Sequence, residues 1–195
     1  MRLIIVRHGV TEENTRGVLQ GQKEGTLTEH GKHQSKNLAY SLKNEKIDMI
    51  FSSDLKRTMH MAKEIAKYHN LKIHKTMLLR ERRFGIFEGR KREKLVEARK
   101  ASGQSIITYT PPHGESFLEV KKRVERFLKT LYKRYPNKNI LLVTHGVVIR
   151  AICWIYLGMT PKEAESLKTI NAGILILSIT KSRNRKLREA IFVRD

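Results

Sequence analysis

The sequence predicts an α/β protein, a mostly parallel central sheet with helices on both faces and a short cap over the sheet's carboxyl edge. Three observations carry this. Short unbroken apolar runs, such as residues 3–6 (Leu-Ile-Ile-Val) and 140–143 (Ile-Leu-Leu-Val), read as strands buried on both faces. Segments with apolar residues at helical spacing alternate with these runs along the chain. No internal repeat or linker-like stretch divides the 195 residues, so a single domain over 1–195 is expected.

The elements follow in order. Residues 3–9 form a strand that stops abruptly at Arg7, His8 and Gly9, the glycine allowing a sharp turn and a close backbone approach. The polar loop 9–27 is too long to be a mere connection and reads as functional. Thr28 suits an N-cap for a helix over 29–43, with Leu38 and Leu42 on one face. A strand at 47–51 leads into a helix over 54–69, where Met59, Ala62, Ile65 and Ala66 recur at helical spacing. A short strand at 72–75 follows. Residues 77–115 are the least regular part and form the cap excursion, with a charged helix over 90–101 and Pro111-Pro112 stiffening the return.

Ser116 opens the clearest helix, lined by Phe117, Val120, Val124, Phe127, Leu128 and Leu131 until Tyr135-Pro136 ends it. A strand at 139–144 and a helix over 147–157, ended by Gly158, come next. Residues 171–180 and 187–193 read as two strands joined by a basic turn. Such an edge hairpin offers a surface for pairing with a second copy, so a homodimer is compatible with the sequence.

Composition bounds the function. Hydrophobic residues make up 39% and aromatics 7%, which fits a globular chain. The single Cys153, between apolar neighbours, excludes an internal disulfide and reads as a small buried hydrophobe. Neither a secretory signal nor a run of membrane-spanning length is present, so a cytoplasmic protein without a membrane partner is expected. The net charge of +21 leaves three readings: a nucleic-acid binder, a site for anionic substrates, or a charge-rich surface of the kind thermophiles carry. No zinc-finger spacing, helix-turn-helix or RNA-binding aromatic signature accompanies the charge, so only non-specific affinity for nucleic acid is expected. There is no P-loop, and His30-Gly-Lys-His33 reads as a solvated pair on a helix, so neither metal nor cofactor is expected.

Chemistry concentrates at strand ends. Ligands of open α/β sheets gather beyond the carboxyl ends of the strands. The first strand delivers Arg7-His8-Gly9, residues 140–146 (Ile-Leu-Leu-Val-Thr-His-Gly) deliver His145, and the run through Ser52-Ser53-Asp54 delivers Arg57. Two guanidiniums and two imidazoles arriving together describe an anion pocket with a nucleophile or base inside it.

The series Arg7-His8-Gly9, Asn14, Ser52-Ser53-Asp54-Leu55 with Arg57, Glu81, Gly114-Glu115-Ser116 and Thr144-His145-Gly146 resembles the histidine phosphatase superfamily over nearly the whole chain. The resemblance also takes in Gly17, Gln20-Gly21, Leu27-Thr28 and Asn171-Ala172-Gly173. It implies a fold with the site at the sheet's carboxyl end and a phosphohistidine intermediate on His8. It further implies phosphate-holding roles for Arg7, Arg57 and His145, a place in the phosphate pocket for Asn14, and proton donation by Glu81. Gln20, Gly21 and Gly146 join the expected binding residues.

The same roles make chemical sense. Phosphoryl transfer asks for positioning and for neutralisation of charge on the equatorial oxygens, which planar arginine forks supply. A neutral histidine splits one displacement into two, and one carboxylic acid can serve as acid and then as base. Several positions depart from the family pattern. Met61 stands where many relatives carry threonine, which puts that polar contact in question. His60 reads as a surface residue, Glu88 as structural, and the stretch Glu81-Arg82-Arg83-Phe84-Gly85 is more basic than usual.

A small phosphorylated substrate is thus expected, with hydrolysis of a phosphomonoester as the leading reading. Residues 82–113 leave little room for the long insertion of the cofactor-dependent phosphoglycerate mutases, the runner-up. An inactive basic module that binds polyanions is the alternative from another class.

Overall fold

A computed structural model describes residues 1–179 and 190–193. The sheet has six strands: β1 (Arg2–Arg7), β2 (Met49–Ser52), β3 (Ile73–Lys75), β4 (Asn139–Thr144), β5 (Ile174–Ser178) and β6 (Ala190–Val193), in the spatial order β3-β2-β4-β1-β5-β6. The β3-β2, β2-β4 and β4-β1 pairs are parallel; β5 runs antiparallel to β1, and β6 antiparallel to β5. The expected strands of the terminal hairpin are therefore present, while the basic turn expected between them lies outside the described residues.

The helices are α1 (Glu12–Thr15), α2 (Glu29–Ser41), α3 (Lys56–His69), α4 (Arg92–Ala101), α5 (Phe117–Arg134), α6 (Gly146–Tyr156) and α7 (Pro161–Ser166). The two central strands are apolar through their middles, Leu3 to Val6 in β1 and Ile140 to Val143 in β4, because both faces are covered there. Leu3 and Ile5 of β1 and Ile140 and Leu142 of β4 pack into one core with α5 and α6. Ile4 and Val6, with Leu141 and Val143, point the other way into a second core with α2 and α3. On α5 the six apolar residues expected to line one face are all buried, each worth about 1.5–3 kcal/mol of transfer free energy. Its first turn is closed by a capping box between Ser116 and Glu119, whose loss costs about 1 kcal/mol.

Parallel register turns this layered fold into a site. Arg7 pairs with Thr144 and Ser52 with Val143, so β2, β4 and β1 stop at one level and release their following residues side by side. Gly9, just past β1, lies so close to α2 that a Cβ there would sit 2.3 Å from the Gly31 carbonyl oxygen. The close backbone approach expected of this glycine is its contact with the first turn of α2.

Several boundaries differ from expectation for local reasons. The 9–27 loop contains α1, closed by a capping box of Thr11 and Asn14. Helix α3 begins at Lys56, because Asp54 is held outside it by the Arg80 guanidinium through two bonds of 2.7 and 2.6 Å. Strand β5 begins at Ile174, because Ala172 turns its N–H onto the Arg7 and His8 carbonyls at 3.2 and 3.3 Å. Helix α7, signalled by Thr160-Pro161 and Glu163, escaped the periodicity because only Ala164 in it is buried. Residues 76–115 hold two 3-10 turns and α4 but no strand, and they are stitched to the 9–27 loop by Leu19 N–H to Arg90 O (2.9 Å) and Gly89 N–H to Leu19 O (2.7 Å).

Candidate active site

His8 follows β1 and is buried. Its Nδ1 lies 2.8 Å from the Gly9 carbonyl oxygen. A carbonyl can only accept, so Nδ1 carries the proton and Nε2 keeps its lone pair. Burial, with Arg7 and Arg57 nearby, holds the ring's pKa well below the ordinary histidine value and so keeps it neutral. His145, which follows β4, is held neutral by burial and by the Arg57 and Arg7 charges. Its ring centroid lies 5.2 Å from that of His8, and its Nε2 is 2.9 Å from Ser53 Oγ.

The two arginines arrive from different elements. Arg57, in the first turn of α3, is only 1% exposed and donates to the Gly21 and Lys23 carbonyls at 2.7 and 2.9 Å. That pair of bonds shapes the 20–23 turn, where Gly21 has φ +56°. Arg7 donates from Nη1 to the Thr169 carbonyl at 2.6 Å. Burial lowers its pKa to about 10, against an opposing pull from Glu81, so it remains a cation at neutral pH. Among the described residues, Arg7 Nε, Arg57 Nε and His145 Nδ1 are buried without a hydrogen-bond partner. The two orphaned guanidinium N–H groups, Arg7 Nε and Arg57 Nε, belong to residues that line one cleft with His8 and suit a ligand that brings its own acceptors.

Glu81 approaches from the segment between β3 and α4. Its Oε1 accepts from Arg82 N–H at 2.8 Å and from Val147 N–H at 3.3 Å. The segment behind it is fixed by Arg123 of α5, which donates to the Leu78 and Arg80 carbonyls, each at 2.7 Å, and pairs with Glu115 at 2.9 Å. Glu115 also accepts from Arg83 N–H. This positioning pair is half legible: Glu115 belongs to the Gly-Glu-Ser motif, whereas Arg123 looks like one more cation of a basic helix.

The other expected site residues fall around these. Asn14 Oδ1 accepts from Thr11 N–H at 3.3 Å and from Asn171 Nδ2 at 3.1 Å. Asn171 Nδ2 also reaches the His8 carbonyl at 3.1 Å. Gln20 donates its amide to Thr11 Oγ1 and to Glu13 (2.6 Å). Gly146 opens α6 where a Cβ would stand 2.9 Å from Thr169 Oγ1 and 3.6 Å from the Arg7 guanidinium carbon. Glu88 receives Gln22 N–H and Phe84 N–H, a structural part. Met61 is buried in the α2–α3 core and supplies no polar contact, while His30 and His33 lie exposed on α2.

The cleft has a volume of about 250 Å³ and is lined by Arg7, His8, Asn14, Gln20, Gly21, Arg57, Glu81 and Gly146. Fully buried His145 stands outside this lining. Arg92, Arg150 and Lys168 complete the basic wall. No sequence signal singles out those three among 40 lysines and arginines. Among the described residues no group of three or more His, Cys, Asp or Glu side chains is placed to hold a metal ion, and no helix is long and apolar enough to cross a membrane.

A family model described as the histidine phosphatase superfamily (branch 1) matches residues 3–190. Phosphoserine phosphatase 1 of Hydrogenobacter thermophilus is 34% identical over 190 residues, covering 94% of this chain and 89% of that protein. A probable phosphoglycerate mutase, GpmB, of Photorhabdus laumondii is 31% identical over 178 residues, covering 89% and 83%. The solved structure of a mycobacterial glucosyl-3-phosphoglycerate phosphatase superposes with a TM-score of 0.84 at 26% identity, covering 98% of this chain and 97% of the other.

Proposed function

The chain belongs to the histidine phosphatase superfamily and is a phosphoric monoester hydrolase; from that premise we propose that it hydrolyses a small phosphorylated metabolite through a phosphohistidine on His8. One observation supports the assignment of His8 above the rest. Its Nδ1–H is committed to the Gly9 carbonyl, which leaves the Nε2 lone pair of a neutral ring free beside Arg7 and Arg57. In the first step that lone pair attacks phosphorus, the ester P–O bond breaks, and the leaving oxygen takes the Glu81 proton. In the second step Glu81 removes a proton from water, the water oxygen attacks phosphorus, and the N–P bond breaks with its electrons returning to Nε2. Arg7 and Arg57 hold the equatorial oxygens in both steps, and His145 supports the pocket from behind His8.

Hydrolysis is favoured over mutase chemistry by the short excursion between Glu81 and Glu115, which admits water to the phosphoenzyme. The enzyme works in the cytoplasm, and its surface charge attracts nucleic acid only non-specifically. A labelled phosphate ester should leave protein-bound phosphate that survives base and is lost in acid, as a phosphoramidate requires. His8→Ala should abolish both this label and turnover while the protein stays folded. Full activity of the variant would overturn the phosphohistidine route. Efficient isomerisation of 3-phosphoglycerate with little free phosphate would establish the mutase reading instead.

A further inference from the structure

We propose that Arg92, Arg150 and Lys168 form a second anion subsite beside the phosphate pocket, so that the substrate is a phosphate monoester carrying another oxyanion, carboxylate or phosphate, on its leaving group. The inference rests on the phosphatase reading and names the substrate class for that site.

The charge in the cleft exceeds what one phosphate neutralises. Arg7, Arg57, Arg92, Arg150 and Lys168 line it, against Glu81 as the only carboxylate in the wall among the described residues. A phosphate dianion bound by Arg7 and Arg57 would leave the remainder of the wall positive. Low-dielectric walls make such an excess costly unless a second anion enters.

The three cations come from three separate elements and face one cleft. Arg92 opens α4, whose first N–H is tied to the Gly17 carbonyl at 3.2 Å. Arg150 lies on α6 and donates from Nε to the Leu167 carbonyl at 2.8 Å. Arg7 holds the Thr169 carbonyl in the same loop. Lys168 is therefore suspended between two arginine-held carbonyls, which fixes its backbone at the rim of the cleft.

Neither the Arg92 guanidinium nor the Lys168 ammonium has a hydrogen-bond or salt-bridge partner among the described residues. Beyond the Nε bond to Leu167, the Arg150 guanidinium meets Glu165 through Nη1 at 3.8 Å, outside hydrogen-bond distance. Arg92 and Arg150 also border a smaller cavity of about 70 Å³ under the cap, walled by Leu95, Val96 and Phe117. They thus mark the boundary between the phosphate end and an apolar end. A second oxyanion placed there can take a bidentate arginine contact that a hydroxyl cannot match.

Binding to the His8→Ala protein, which should not turn substrate over, tests the subsite separately from the reaction. The probes are matched pairs: 3-phosphoglycerate against glycerol 3-phosphate for a carboxylate, and fructose 1,6-bisphosphate against fructose 6-phosphate for a phosphate. At least one doubly anionic ester should bind about tenfold or more tightly than its partner, on the order of one charge-assisted hydrogen bond. Which pair shows the advantage identifies the second oxyanion. Arg92→Gln combined with Lys168→Gln touches no internal contact and should bring that advantage below about threefold, and Arg150→Gln should do the same. Equal affinity within both pairs, or an advantage that survives the double substitution, would overturn the subsite. Discrimination that stands while the unsubstituted enzyme releases phosphate from none of the four esters would overturn the phosphatase reading and leave the subsite in place.

Discussion

Glu81→Gln separates proton donation from every other role of that side chain. Oε1 already accepts the two closer bonds, from Arg82 N–H at 2.8 Å and Val147 N–H at 3.3 Å, and a glutamine oxygen can keep both. Only the 3.4 Å contact of Oε2 with Val147 N–H is replaced by an amide that cannot accept. The substitution should therefore leave the segment in place and remove the transferable proton. General acid catalysis contributes about 10²–10⁴ in rate, or roughly 2.7–5.5 kcal/mol of barrier. That full loss is expected in kcat/KM for alkyl phosphates, whose alkoxide cannot leave unprotonated. For an aryl ester such as p-nitrophenyl phosphate, kcat/KM should fall less than about tenfold, since the phenolate departs without help. Hydrolysis of the phosphoenzyme also needs Glu81 as base, so the aryl ester should give a burst of nitrophenol followed by slow turnover. Stopped-flow absorbance with steady-state phosphate release measures both quantities. Equal losses in kcat/KM for aryl and alkyl esters would refute the assignment of Glu81 as proton donor.

Other predictions follow from single contacts. Arg57→Lys cannot span the Gly21 and Lys23 carbonyls and a phosphate together; two charge-assisted hydrogen bonds lost at about 1.5–3 kcal/mol each imply a fall in kcat/KM of roughly 10²–10⁴. Retention within about threefold would show the fork to be dispensable. Gly85→Ala places a Cβ 1.8 Å from the Pro112 carbonyl oxygen at φ +56°; a loss of about 2 kcal/mol or more should lower Tm by at least roughly 4 °C, and an unchanged melt would contradict this geometry. His8 and His145 both have depressed pKa values, so the unfolded chain takes up the protons first as pH falls below 6.5. Their stabilising contribution is complete above that value and declines below it, by up to about 1.4 kcal/mol per pH unit for each ring. Melting curves between pH 7 and 5 should show a shallower slope for His8→Ala than for the parent, and identical slopes would refute the buried neutral ring. Inorganic phosphate at 100 times its Kd should add about 2.7 kcal/mol and raise Tm by roughly 5–10 °C, a shift that Arg57→Ala should abolish.

Strand positions were legible because burial on both faces leaves no polar residue to blur them, as in Ile140, Leu141, Leu142 and Val143. The conjunction of His8, Arg57 and His145 was legible because parallel strands in register must end at one level. Periodicity could not reveal α7, where one residue is buried, or the start of α3, which depends on an ion pair between Asp54 and Arg80 across 26 positions. The same limit hid Arg92, Arg150 and Lys168. In a chain of net charge +21, a lysine facing a cleft and a lysine facing solvent look alike until the fold separates them.

The clamp at residues 81–86 and 111–115 has an evolutionary corollary. Arg82 Nε donates to the Glu115 carbonyl, Glu115 N–H donates to the Arg83 carbonyl, and Ile86 N–H donates to the Pro112 carbonyl. With Arg123 gripping the Glu81 side of this neck, the chain leaves and returns through one closed ring anchored on α5. Residues 93–106 make no hydrogen bond to that ring, so what they carry bears little on where Glu81 points. Selection can lengthen, shorten or recharge the excursion to suit a new leaving group while the acid keeps its place. One catalytic floor can thus be re-roofed many times.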